Sequence, residues 1–188
     1  MVSLSLNIAT IRLAYKLRVN AALELRGLSM AVYFIIENED LESQRIKIGY
    51  SGNPGRRIKE LQTGNSRKLA LMGWVSGGDK EYESTLHEKY STSRVQGEWF
   101  EIDANDVIYE LKSSGINGYI AIQSNANEFL GCDRDGVPEF IQPWEWADTE
   151  LQEFCPQCGC SCGLQYNENY GTERCLNCGI VEFQYEEF

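Results

Sequence analysis

Two CxxC pairs near one end of the chain, CPQC at 155–158 and CLNC at 175–178, restrict its folding more than any other feature. Two thiolates two residues apart sit on a tight knuckle turn, and two such knuckles complete a tetrahedron of sulfurs around one metal ion. Gly159 and Gly179 follow the knuckles, where the chain must turn back sharply. The pattern predicts a zinc-ribbon-like module with Cys155, Cys158, Cys175 and Cys178 as ligands to structural Zn2+, because four sulfurs leave no open coordination position. Cys160 and Cys162, close behind the first knuckle, offer two further thiols, so a swapped ligand stays open.

With Cys132 the chain has seven cysteines, an odd number crowded towards one end, which is not a disulfide framework. Paired CxxC units fit a reducing compartment, and the cytoplasm is the expected location. A chain of 188 residues has room for one ordinary domain plus a small appendage. No apolar run approaches the ~20 residues a membrane span needs, so no membrane partner is expected.

Charge is divided unevenly. Residues 1–30 carry four basic and one acidic side chain, residues 31–102 carry ten and eleven, and residues 103–188 carry three and sixteen. The acidic last segment repels phosphate, so any nucleic-acid contact belongs to the middle segment or depends on bound metal. Arg56, Lys59, Arg67 and Lys68 form the local basic excess there and are the candidate phosphate contacts.

The chain divides into an N-terminal extension or amphipathic helix (1–29, with a superficial likeness to a transit peptide), a compact α+β unit (30–112), a linker or docking segment (113–153) and the cysteine module (154–188). AVYFIIE at 31–37 and RIKIGY at 45–50 read as strands, joined through the polar NEDLESQ. Asn53 offers an N-cap, Pro54 suits the first helical turn and Gly64 is a stop, which predicts a helix over 54–63. A third strand over 69–75, a Gly77-Gly78 turn, a helix over 80–90 with Tyr82, Leu86 and Tyr90 on its apolar side, strand-like GEWFEI at 97–102 and a helix over 103–112 follow. Glu83 and His87, four residues apart, share one helix face. GYIAIQ at 118–123 can form a strand, and QPWEWAD at 142–148 carries aromatic residues suited to docking.

AVYFI at 31–35, KIGYS at 47–51, GRRIKELQTG at 55–64, ESTLH at 83–87 and GEWF at 97–100 together resemble the GIY-YIG nuclease superfamily, in its branch found in many bacteriophage and some fungal proteins. The resemblance covers about residues 30–103. It implies a small three-stranded antiparallel sheet flanked by helices and an endonuclease that cuts nucleic acid, DNA first, with one divalent cation, Mg2+ or Mn2+. Carried over by motif, Tyr33 is the tyrosine of the first signature, Gly49 ends the second, Arg57 is the helix arginine and Glu83 the metal carboxylate. Ala31 replaces the first signature's glycine, and Lys47 stands where the second usually has tyrosine.

Phosphodiester hydrolysis needs a base for water, a positive group for the charge that builds on phosphorus, and a metal for the leaving oxygen. Tyr33, Arg57 and Glu83 can supply these in that order. A tyrosine titrates near ~10, so Tyr33 works as a base only if its phenolate is favoured, which a neighbouring Lys47 ammonium would do. His87, the single histidine, reads equally as a proton shuttle or as a structural side chain, and Tyr50 as a second phenol or a core residue. The alternatives to an endonuclease are a catalytically silent nucleic-acid-binding module and a protein-interaction adaptor, with the acidic zinc-binding module as the surface for a protein partner.

Overall fold

The structure, a computed structural model, describes residues 30–37, 45–122, 129–132, 138–140, 153–169 and 171–181. The N-terminal stretch read as an amphipathic helix, the NEDLESQ connection and the QPWEWAD segment lie outside the described residues.

Strand β1 (Ala31–Glu37) pairs antiparallel with β2 (Arg45–Ser51) on one side and with β3 (Leu69–Ser76) on the other. Its first six residues are all buried, as a strand covered on both faces requires. The sheet is larger than the three strands expected from the sequence. β4 (Arg94–Gln96) and β5 (Trp99–Glu101) extend it beyond β2, and β6 (Gly118–Ile120) extends it beyond β3, giving the order β4-β5-β2-β1-β3-β6. These added strands have three residues each, too few to show a period-2 pattern in sequence.

One face of the sheet is covered by α1 (Pro54–Thr63), whose Ile58 packs with Tyr33, Ile35, Leu69 and Leu71. The other holds the larger core, where α2 (Lys80–Lys89) and α3 (Ala104–Ser113) bring Leu86, Val107, Ile108 and Leu111 against Phe34, Ile46, Ile48 and Phe100. Each helix starts on a side-chain cap. Asn53 accepts from the Arg56 amide at 2.9 Å, Asp79 from the Tyr82 amide at 2.8 Å and Asp103 from the Asn105 amide at 2.8 Å. The buried Glu110 carboxylate ties α3 to the end of α2 by accepting from Lys89 and, at 3.1 Å, from the Tyr90 hydroxyl. Burial there pushes the Tyr90 phenol up to about 12.

A bulge interrupts the β1–β3 ladder. Phe34 faces Gly73, but Ile35 faces Leu71, so Met72 is the extra residue. Leu71 and Trp74 thereby share one face of the sheet although three positions separate them. Two short hairpins complete the described chain, β7 (Phe129–Cys132) with β8 (Pro138–Phe140), and β9 (Leu164–Asn167) with β10 (Thr172–Cys175). The second lies between the two cysteine knuckles. Among the described residues no helix is long and apolar enough to cross a membrane.

Candidate functional site

Tyr33 and Gly49 are cross-strand partners, and the hydroxyl end of the tyrosine ring lies over the glycine. A Cβ at position 49 would collide with the phenol oxygen and ring carbons, so the close approach itself demands glycine. Gly49→Ala is therefore expected to destabilise the chain by about 1–3 kcal/mol and to push the Tyr33 ring out of place. A urea melt reads the first effect, and an alanine variant as stable as the parent would mean that the ring moves freely.

The Arg57 guanidinium on α1 lies close to the phenol of the buried Tyr33 and favours its charged form. Burial raises the Tyr33 pKa above its ordinary value, Arg57 pulls against that rise, and the carboxylates of Glu98 and Glu83 add to it. The phenol is thus protonated at neutral pH. Arg57 is held charged, first by the neighbouring Tyr33 phenol and also by Glu60, whose carboxylate takes Arg57 at 3.3 Å and Arg56 at 2.9 Å.

Lys47 does not act on Tyr33 as an unpaired ammonium. Only 7 % exposed, it donates to the Glu98 carboxylate at 2.5 Å and lies 5.7 Å from the Trp99 ring centre. Burial pushes the Glu98 carboxyl up, but the Lys47 hydrogen bond and charge, with His87 and Arg57 adding to them, hold it below its ordinary value. The charge of Lys47, expected to favour the Tyr33 phenolate, is matched by a carboxylate that itself raises the Tyr33 pKa.

His87 anchors α2 to the same strand. Its Nε2 lies 3.0 Å from the Ile48 carbonyl oxygen, which can only accept, so Nε2 carries the proton and Nδ1 is the basic nitrogen of the neutral ring. The Ile48 amide in turn donates to the Glu98 carbonyl at 3.1 Å. Arg94 closes this arrangement, donating to the carbonyls of His87 and Gly97 with its guanidinium 4.7 Å from the Phe100 ring centre. Tyr33, Arg57, Glu83, His87, Lys47 and Glu98 thus form one electrostatic neighbourhood. Tyr50 lies on the opposite face of the sheet from Tyr33, where its ring packs on the larger core.

Glu98 is absent from the sequence reading of the site. The signal was its place in GEWF together with a strand lysine, Lys47, that pairs across the ladder with Trp99 and needs a counter-ion. The basic residues are less available than their count implies. Arg56 is engaged by Glu60 and Arg67 by Glu37 at 3.3 Å, while Lys59 and Lys68 are exposed.

The second constellation lies beyond β6. Cys155, Cys158, Cys175 and Cys178 bring their sulfurs within 4.8 Å of one another, a group that can hold a metal ion such as zinc. Cys155 and Cys178 are 3.7 Å apart and Cys158 and Cys175 3.8 Å, close to the ~3.8 Å edge of a tetrahedron with ~2.3 Å metal–sulfur bonds. The knuckles repeat one backbone pattern. Gly159 donates to Cys155 and Gly179 to Cys175, while Cys155 donates to the Cys160 carbonyl and Cys175 to that of Ile180. Both glycines have positive φ, 73° and 74°, as the turn-back requires. The Asn177 amide donates to the Cys158 sulfur at 3.4 Å, and Cys158 is pushed down to about 5, first by the Cys155 thiol and further by Asn177. The buried Cys160 thiol faces the Ile116 carbonyl, outside the four-sulfur group.

Residues 30–113, a little under half of the chain, match the family model of the T5orf172 domain, a phage-associated domain related to GIY-YIG- and HNH-like nucleases. The match spans β1 to α3, and so contains the Tyr33 neighbourhood but neither β6 nor the cysteine group. No curated protein and no solved structure matches the chain.

Proposed function

We propose that this protein is a metal-dependent endonuclease of the GIY-YIG type that hydrolyses phosphodiester bonds of nucleic acid, DNA first, and carries a structural zinc site. The observation that carries the reading is the Tyr33 phenol packed against Gly49 beside an arginine, within the electrostatic influence of Glu83 and Glu98. An ordinary core tyrosine needs no such surroundings. The T5orf172 match adds a nuclease-like family to that arrangement.

In the proposed reaction the Tyr33 phenolate, formed by loss of the phenol proton to solvent, takes the proton of the attacking water as the water oxygen bonds to phosphorus and the ester P–O bond on the far side breaks. Arg57 offsets the charge on the phosphoryl oxygens, and the leaving oxygen takes a proton from solvent. A divalent cation on Glu83 supplies Lewis-acid stabilisation of the leaving oxygen. One carboxylate with substrate phosphate suits Mg2+, which keeps much of its water shell. Filling the site also offsets the Glu83 charge that raises the Tyr33 pKa, so base and cation are coupled.

The sign of this coupling gives the test. Plasmid, single-stranded DNA and RNA are incubated across pH in Mg2+ or Mn2+. Cleavage should rise with pH towards an alkaline plateau set by Tyr33, and Tyr33→Phe should remove the limb and most of the rate. Glu98→Gln takes away a raising charge and should move the limb to lower pH, whereas Arg57→Ala should move it higher and slow cleavage about 10²- to 10³-fold. Binding without cleavage in either metal would replace this reading with the silent binding module.

A further inference from the structure

One row of cross-strand partners runs from the Tyr33 neighbourhood to the cysteine group. Gly49 pairs with Tyr33, Tyr33 with Trp74, Trp74 with Tyr119, and Tyr119 bridges to Cys160. Directly opposed residues point to the same face of a sheet. The Trp74 and Tyr119 rings stack with centroids 5.5 Å apart and planes within 10°. Tyr119 packs among Cys155, Cys160 and Cys175, and among the described residues Trp74 alone packs against both this group and the cluster around Tyr33.

The first knuckle is fastened to the same strand. The Ile120 amide donates to the Gly159 carbonyl at 2.8 Å and the Ser161 amide to the Gly118 carbonyl at 2.9 Å, while the Ser161 hydroxyl donates to Gly115 at 2.6 Å. A Cβ on Gly159 would strike the Ile120 carbonyl. The loop that supplies two of the four sulfurs thus also fixes the backbone on both sides of Tyr119.

We propose that Trp74 and Tyr119 are positioning residues through which occupancy of the four-cysteine site sets the placement of the Tyr33 phenol. Metal there holds the first knuckle, the knuckle holds β6, and the stacked rings hold Tyr33 over Gly49 beside Arg57. Close-packed side chains pass on such a displacement because they have little free volume to absorb it. The effect on cleavage rests on the nuclease reading above, but the placement of the ring does not.

The test uses the full chain labelled with 3-fluorotyrosine, its Tyr33 fluorine resonance assigned by its loss in Tyr33→Phe. In the zinc-loaded parent this resonance should shift on chelation. In zinc-loaded Trp74→Leu and Tyr119→Leu, each still binding about one zinc, it should already be displaced, and it should stay at the parental position in Trp74→Phe and Tyr119→Phe, which keep a ring to stack. The loaded variants read ring placement even if chelation unfolds the chain. Cleavage by the leucine variants should show kcat lowered about 10- to 100-fold with KM unchanged. A Tyr33 resonance at its parental position in both loaded leucine variants, or displaced equally in the phenylalanine variants, overturns the proposal. Fluorine shifts as expected with no cleavage by any form, parent included, would overturn the nuclease reading alone.

Discussion

Glu83→Ala is expected to reduce magnesium-dependent nicking of plasmid DNA to background, a fall on the order of 10³-fold or more, equivalent to roughly 4 kcal/mol of lost transition-state stabilisation. The residue lies on the half-buried side of α2, off the Tyr82, Leu86 and Tyr90 stripe that packs into the core. Its share in stability is confined to a favourable place in the first helical turn, about 0.3–1 kcal/mol. A large loss of rate with a nearly unchanged melting temperature is therefore the outcome that identifies a metal carboxylate. Glu83→Gln separates charge from shape, and should fail as completely as alanine does. Nicking that survives either substitution removes Glu83 from the proposed chemistry.

Replacing Cys155 and Cys178 together with serine should eliminate the one zinc per chain and unfold the segment around it. Metal bound by four thiolates contributes on the order of 10 kcal/mol to the folding of a small module, and apart from Phe154, which is buried in the larger core, residues 153–181 bury little but the cysteine group. Their described core is the sulfurs with Tyr119, Trp74, Leu164 and Ile180. The damage should reach the sheet, because the Ile120 amide would lose its acceptor at Gly159 and the outer edge of β6 would be bared. Hydrogen exchange should show fast exchange at Ile120 beside intact protection in β1. Zinc retained by the double variant would instead bring Cys160 and Cys162 into the ligand set.

The sequence was most legible where residue chemistry is local. The three helices start on the caps that Asn53, Asp79 and Asp103 supply, and the CxxC spacing marks the four sulfurs that converge. Glu98 was hidden because its meaning lies 51 residues away, at Lys47, and a lone glutamate before Trp99 and Phe100 gives no sign of that partner. The influence of Lys47 on Tyr33 is hard to read from sequence for the same reason, since it depends on a counter-ion. Of the short outer strands, β5 and β6 lie within the strand-like GEWFEI and GYIAIQ, whereas β4, three exposed residues, shows neither periodicity nor an apolar face in sequence. Tyr119 looked like one apolar residue in an uncertain strand until its pairing with Trp74 and Cys160 was seen.

The extra residue at Met72 lets β3 shorten by one without changing the face that Trp74 takes. Removing it would restore strict alternation, with Leu71 still opposite Ile35, Gly73 opposite Phe34 and Trp74 opposite Tyr33, and would take from the larger core only the Met72 side chain. Chains built on this plan can therefore lose a residue at this point and still keep a ring between Tyr33 and Tyr119.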